Sequence, residues 1–467
     1  LKAYVWNPWQ TAQLHPDRIA AVGNDGTYTF SQLTDRADRL GEGLATIGMD
    51  HDSMISTDIP TGPRFFALAL AALKYGYGLF PVETGEMTAE TVGSLFADMN
   101  VTMHVASVEA ASLDKLLPCP VVTDTLLLQS APQVALVAPA PRQRAGFLAF
   151  STSGTTGAPQ GVPRAHPWRP YKGVAVEERY AAGISFGPHI MAGPTYHLGT
   201  LGPALYALQA GSAVVVQRTW SPNGFADLAD RFGADSAMLP PDCLLDVVEA
   251  GRAPDRRLRA VFHGGAACPP AVKRSAIELL GPVLHEYYGT SRGTITEITT
   301  AEWLKYPGSV GKPLPGVQVQ IRRDRQEVPP GAMGEITVSL RPADLRSDDP
   351  AVLPTGDLGF VNQEGYLFIV GRLSSDDDVT LARLEYEVRL LPEVSDVAVM
   401  GGTTPRCFVE IRNGHTKSPE EKIRIISGAL GIVAPLIKTA PTGSLPRTAS
   451  GKIRRASLGD PFPRGED

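Results

Sequence analysis

The sequence predicts an α/β fold: a large multi-subdomain N-terminal domain of layered sheets and helices, followed by a small, mobile α+β C-terminal domain. Three observations carry that expectation. Short β-rich runs alternate with stretches of helical periodicity, the pattern of sheets covered by helices. At 467 residues the chain exceeds one ordinary domain and suits two or three. A polar break follows Gly371-Arg372, and roughly a hundred residues lie beyond it, enough for a small folding unit. The expected domains are therefore 1–371 and 372–467.

In chain order, Leu33, Ala37, Leu40, Leu44 and Ile47 recur at intervals of three and four and form one apolar stripe. Ser31 is placed to cap the start of this helix and Gly48 to end it. Phe66, Leu70 and Leu73 predict a second, buried helix. Strands are expected over 213–216, 260–263, 317–321 and 335–339, and a further β-like run spans 365–370. The string Leu373-Ser374-Ser375-Asp376-Asp377-Asp378 reads as a linker. The remainder reads helix 384–391, strand 394–400, strand 407–411 and helix 419–430.

Composition excludes several classes. Apolar residues are 43% and charged residues 20%, as in globular proteins. A net charge of −6 gives no basic footprint for nucleic acid. Cys119, Cys243, Cys268 and Cys407 lie far apart with no CxxC pair, so reduced thiols are expected rather than a zinc site or disulfides. The most apolar run, from Phe65 to Leu73, is too short to span a bilayer. No signal peptide is visible, so the expectation is a cytoplasmic protein without membrane partners.

Chemistry concentrates in a few strings. After the strand-like Phe147-Leu148-Ala149-Phe150 comes Ser151-Thr152-Ser153-Gly154-Thr155-Thr156-Gly157-Ala158-Pro159-Gln160-Gly161-Val162. Glycines let backbone N–H groups turn around an anion, and hydroxyls add donors. Thr152, Ser153, Gly154, Thr155, Thr156 and Gly157 are thus a candidate phosphate cradle, with a plain Ser/Thr/Gly surface loop as the alternative. The loop lacks the Gly-Lys-Ser/Thr ending of a Walker loop.

This string resembles the phosphate loop of the adenylate-forming superfamily, which contains acyl-CoA ligases, peptide-synthetase adenylation domains and luciferases. Further strings are similar to that family in the same order. Tyr287-Tyr288-Gly289-Thr290-Ser291-Arg292 resembles its aromatic-Gly-x-Thr-Glu motif, and Gly264-Gly265-Ala266-Ala267 its small-residue turn along the purine. Pro354-Thr355-Gly356-Asp357-Leu358-Gly359, with Gly371-Arg372 downstream, resembles its ribose-binding pair. Pro446-Arg447-Thr448-Ala449-Ser450-Gly451-Lys452 resembles its C-terminal lysine loop, and Pro194-Thr195-Tyr196-His197-Leu198-Gly199 its P-x-x-H-x-x-G segment.

The resemblance implies an acyl-CoA synthetase: acid and ATP give an acyl-adenylate, and a thiol, usually that of coenzyme A, displaces AMP. It implies catalytic roles for Lys452, His197 and Ser291. It implies nucleotide contacts from residues 152–157, Gly265, Ala266, Ala267, Tyr288, Gly289, Thr290, Asp357 and Arg372. It implies an acyl pocket near His197, Met238, Gly264 and Gly289.

Two departures concern the triphosphate. Gln160 stands where the family has Lys, and Arg292 where it has the Mg²⁺-binding Glu. A guanidinium offers no oxygen to a hard cation. Mg²⁺ is therefore in question, no metal site is assigned, and Arg292 on phosphate or Glu297 in its place are the substitutes to consider. The expected ligands are AMP or an acyl-adenylate, with ATP allowed, and coenzyme A. One reading is an enzyme that mainly forms the thioester from an adenylate made by a separate enzyme, as in natural-product pathways. The alternatives are a full ATP-dependent ligase to CoA or a carrier protein, and a non-catalytic adenylate-binding member. About five residues of the family's thiol-lining stretch are absent after Arg372, which leaves either a short loop or a gap in the sequence.

Overall fold

The computed structural model describes residues 7–50, 53–83, 87–107, 117–131, 146–151, 160–163, 180–290, 292–339, 352–373, 379–415, 418–447 and 453–458. They divide into two compact units. The first holds the described residues of Leu1–Met238 and Pro254–Val261, and the second those of Leu239–Ala253, Phe262–Pro342 and Ser347–Asp467.

In the first unit the amphipathic stripe forms the helix Phe30–Thr46. Its cap is Thr29 rather than the expected Ser31. The Thr29 hydroxyl accepts from the Gln32 N–H at 3.3 Å, and the Gln32 amide oxygen accepts from the Thr29 N–H at 3.0 Å. This reciprocal pair satisfies two otherwise orphaned donors, so the helix starts earlier than Ser31 suggests. Gly48 follows the helix with φ +85°, as anticipated.

The apolar run becomes the helix Pro63–Tyr75, in which every residue from Phe65 to Leu73 is fully buried. It shares one core with Leu33, Leu40, Leu205 and Leu208. A helix apolar on all sides is a core helix. Among the described residues no helix is long and apolar enough to cross a membrane.

Two sheets flank this core. One runs Val121–Thr123, Val101–Ala106, Met54–Thr57, Gly78–Pro81, Phe147–Ser151, Gly161–Pro163, parallel except for the last pair. The other includes Gly26–Thr29, Ile19–Gly23, Val214–Val216, His189–Met191 and Ser236–Met238.

In the second unit an antiparallel array runs Gln326–Glu327, Gln318–Arg323, Gly334–Ser339, Leu353–Val361, Leu367–Arg372, Ser309–Pro313, Gly293–Thr299, Leu284–Thr290. A separate sheet pairs Val394–Met400 with Arg406–Ile411 and adds Leu436–Pro441 in parallel. Helices Val379–Arg389 and Glu420–Ala429 contribute Leu384, Val388 and Ile423 to its core. The strand Leu436–Pro441 has no counterpart in the sequence reading, because its exposed Leu436 and its Lys438 and Thr439 give no apolar alternation. Residues 374–378, between Arg372 and Val379, lie outside the described residues. A domain boundary at 371/372 is a proposal.

One buried charge ties three helices of the first unit. Asp124 opens the helix Asp124–Ser130 and has no exposed side-chain surface. It accepts from Arg36 at 2.6 Å, on Phe30–Thr46, and from Arg64 at 2.5 and 2.9 Å, on Pro63–Tyr75. Burial alone would raise the Asp124 pKa, but the hydrogen bonds from Arg64 and Arg36 outweigh it and hold the carboxyl below its usual 3.8. Removing one partner of a buried pair leaves charge uncompensated, so Asp124→Asn is expected to cost about 3–5 kcal/mol in urea unfolding at pH 7. A depressed carboxylate pKa gives stability that is complete above the unfolded value and is lost as pH falls through the folded one. The gap between wild type and variant should therefore hold at neutral pH and close below 3.8.

Candidate functional site

The candidate nucleotide site of the second unit is built on two strand pairs. Leu284–Thr290 and Gly293–Thr299 pair with Tyr288 opposite Thr296, and a bulge follows between Tyr288 and Gly289. A Cβ at Gly289 would collide with the Gly293 carbonyl, so the close turn requires glycine. Leu353–Val361 and Leu367–Arg372 pair with Asp357 directly opposite Arg372. Gly356, at φ +71°, supplies the left-handed residue before Asp357.

These pairs bring three predicted residues together. The Tyr288 hydroxyl donates to Asp357 Oδ2 at 2.6 Å, and Arg372 Nη1 donates to Oδ1 at 2.9 Å. The Asp357 N–H donates to Thr355 Oγ1 at 3.1 Å, which fixes the backbone beneath the carboxylate. A carboxylate has about four lone-pair sites, so each oxygen keeps acceptor capacity for a further hydroxyl. Burial first, and then the Asp357 charge, push the Tyr288 pKa upward, so the phenol stays a neutral donor. Half of the Arg372 side chain is exposed, at 51%, leaving donors for a ligand.

The remaining predicted residues distribute as follows. Gly264 ends the strand Ala260–Gly264, and a Cβ there would strike the carbonyl and ring of Tyr287. Gly265 is exposed at φ +86°, Ala266 is half-buried and Ala267 exposed. The Thr290 hydroxyl accepts from the Arg292 N–H at 3.2 Å. In the first unit, His197 precedes the helix Leu198–Ala210, and its ring lies edge-on to Tyr196 at 4.8 Å. Met238 is buried opposite Met191. Ser151 pairs with Gly161, so a strand pair closes the base of the phosphate string beside Gln160. Thr152, Ser153, Gly154, Thr155, Thr156, Gly157, Ser291 and Lys452 lie outside the described residues.

Glu297 pairs with Tyr287, on the face opposite to Tyr288, and its carboxylate meets His285 Nδ1 at 3.2 Å.

Beneath Tyr288 lies a pair absent from the sequence reading. Glu286, two residues earlier on the same face, accepts from the fully buried Lys273 at 2.5 Å. The Lys273 ammonium also sits 5.0 Å from the Trp303 ring centre. The available signal was position: Lys273 falls on the buried stripe of its helix with Val272, Ala276 and Leu280.

The family model for AMP-binding enzymes matches residues 8–341. The chain belongs to the AMP-binding enzyme family. Among relatives of this AMP-binding enzyme is the fatty acid–[acyl-carrier-protein] ligase ScoC of Streptomyces coeruleorubidus, 25% identical across 97% of this chain and 95% of that protein. Another is the 2-succinylbenzoate–CoA ligase of Bacillus subtilis, 24% identical across 97% and 96%. The fold is that of the o-succinylbenzoate CoA synthetase of Bacillus subtilis. That enzyme in complex with its acyl-adenylate has a TM-score of 0.78 at 22% identity, covering 100% of both chains. The same synthetase with ATP and magnesium ion has a TM-score of 0.76 at 22% identity, covering 97% and 99%.

If Asp357 is the ribose acceptor, Asp357→Asn removes hydrogen bonds to a charged group, each worth about 1.5–3 kcal/mol. Calorimetric titration with AMP should then give a dissociation constant raised roughly 10- to 150-fold. Tyr288→Phe, which leaves the carboxylate and Arg372 in place, should weaken AMP less, by about 2- to 10-fold.

Proposed function

We propose that this enzyme is an acyl-CoA synthetase that joins a carboxylic acid to coenzyme A through an acyl-adenylate, working mainly in the thioester-forming half. The observation that carries the reading is the Asp357 carboxylate held between Tyr288 and Arg372, with acceptor capacity left for a ribose. The thiol ligases among its relatives support the reaction class.

The roles follow from the family pattern. Tyr288 packs on adenine, Asp357 and Arg372 hold the ribose, and Gly265, Ala266 and Ala267 lie along the purine. Residues 152–157 and Ser291 hold phosphate. In adenylation, a carboxylate oxygen attacks the α-phosphorus and pyrophosphate leaves. Lys452 bridges the two anions, a task suited to a point charge on a flexible stem. His197 orients the carboxylate. In the second step the thiolate attacks the acyl carbon and AMP leaves with the bonding pair.

The groups that would face magnesium and pyrophosphate do not fit that ion. Arg292 and Gln160 supply no anion there, and Glu297 is turned to His285. Among the described residues no group of three or more His, Cys, Asp or Glu side chains could hold a metal. No step here is routed through magnesium. The adenylate would then come from a separate adenylating enzyme acting on the same acid. Relatedness to an acyl-carrier-protein ligase keeps a carrier thiol as the alternative acceptor.

Two assays on one preparation test this reading. Synthetic acyl-adenylate plus coenzyme A should give thioester and AMP, while ATP–pyrophosphate exchange with the same acid should stay near background. Robust exchange would overturn the restriction to the second half. An absence of thioester from any adenylate, with either coenzyme A or a carrier thiol, would overturn the ligase reading itself.

A further inference from the structure

A cavity of about 390 Å³ opens in the second unit beside the strands Gln318–Arg323, Gly334–Ser339 and Leu353–Val361. That size suits a small organic ligand. It is separate from the candidate nucleotide site. Leu358 lines it, while Asp357, the residue before it on the same strand, holds Tyr288 and Arg372. Adjacent strand residues face opposite sides of a sheet.

One wall is basic. Arg322, Arg323 and Arg325 all line the cavity, from a single hairpin. In register Arg322 stands opposite both Glu327 and Glu335. Opposite charges so placed usually pair, yet among the described residues none of the three arginines is in an ion pair. Arg322 Nη2 donates instead to Gln320 Oε1 at 2.8 Å, and its Nε is buried without a hydrogen-bond partner. Arg323 Nη2 donates to the Met333 carbonyl at 2.5 Å. Asp324 and Glu335 also line the cavity, so three positive charges face two negative ones. The rest of the wall is largely apolar, with Val352, Pro354 and Leu373.

The turn that carries these arginines is strained. Arg323 pairs with Gln326, so Asp324 and Arg325 are the two central residues of a tight hairpin. Both are left-handed, at φ +52° and +66°. This is the type I′ arrangement, whose second place ordinarily belongs to glycine. A long side chain there strains the backbone, and strain of this kind collects at ligand sites.

We propose that this cavity binds an organic phosphate, with its phosphoryl group on Arg322, Arg323 and Arg325 and its apolar body on Val352, Pro354 and Leu373. Guanidinium forks match phosphoryl oxygens in spacing and direction. With one net positive charge on the wall, affinity comes from these directed bonds rather than from a broad field. A small turn of Arg322 toward the cavity would bring its unmet Nε–H to an oxygen and remove the cost of burying it unpaired. Bare phosphate would leave the apolar wall uncovered, so the ligand class is an ester with a body.

Calorimetric titration of the full-length protein tests the site, with AMP held at saturation to block the nucleotide site. The probes are phenyl phosphate and inorganic phosphate. Phenyl phosphate should bind roughly tenfold more tightly than inorganic phosphate, because its ring covers apolar surface. Arg325→Gly separates binding from folding, since it removes a guanidinium and relaxes the turn. Its affinity for phenyl phosphate should fall about tenfold, while its urea midpoint stays level or rises. Arg322→Gln should weaken phenyl phosphate to a similar degree and keep AMP affinity within about twofold. No binding in the presence of AMP, or wild-type affinity in both variants, would overturn the site. Loss of binding that accompanies a lower urea midpoint in both variants would trace the effect to folding and overturn it as well. Inorganic phosphate binding as tightly as phenyl phosphate would overturn the organic class.

Discussion

The Asp357 carboxylate is the constraint on which the candidate nucleotide site depends. It receives one donor from the hairpin of Tyr288 and one from the strand of Arg372. Those donors arrive only because the register is fixed. Asp357 stands opposite Arg372, and the bulge after Tyr288 turns the chain where Gly289 alone has room. A slip of one residue would send Tyr288 to the other face of its strand, and the Lys273–Glu286 pair with it. The Lys273–Glu286 pair and the Tyr288–Asp357 bond thus both depend on the register of Leu284–Thr290.

Much of this was legible in the sequence. Tyr288, Asp357 and Arg372 were assigned to one nucleotide from three separate strings, and the fold brings them into contact. Helices written as apolar stripes were found because their period is local. What escaped was set by tertiary context. Thr29 displaced Ser31 as a cap because the capping box needs Gln32, a pairing the stripe alone does not reveal. The strand Leu436–Pro441 forms because Arg406–Ile411 offers it an edge, not because its own residues demand it. Glu297 was a candidate ligand by nearness in sequence, and the strand period sets it on the face opposite to Tyr288. Lys273 has no part in the sequence motifs, and in the fold Glu286 and the Trp303 ring are its partners.

Two charge arrangements divide the chemistry. Under the proposed reading Tyr288, Asp357 and Arg372 would offer an adenylate a ring, a carboxylate with spare lone pairs and a guanidinium, and Arg292 and Gln160 would stand at the magnesium and pyrophosphate positions. The residues on either side of the lysine motif, Arg447 and Arg455, are bonded to Asp396, Glu410 and Glu385, and the resemblance gives Lys452 a role in adenylation. Under the proposed reading the protein would handle the α-phosphate of an adenylate more readily than the β- and γ-phosphates of ATP.

That division can be read from binding alone. Calorimetric titration of one preparation with AMP, with a stable acyl-adenylate mimic and with ATP, each with and without magnesium, compares the two halves of the site directly. The predicted result is that the mimic binds tightest, that ATP binds no better than AMP, and that magnesium leaves the order unchanged. ATP binding that exceeds AMP binding and strengthens with magnesium would contradict it.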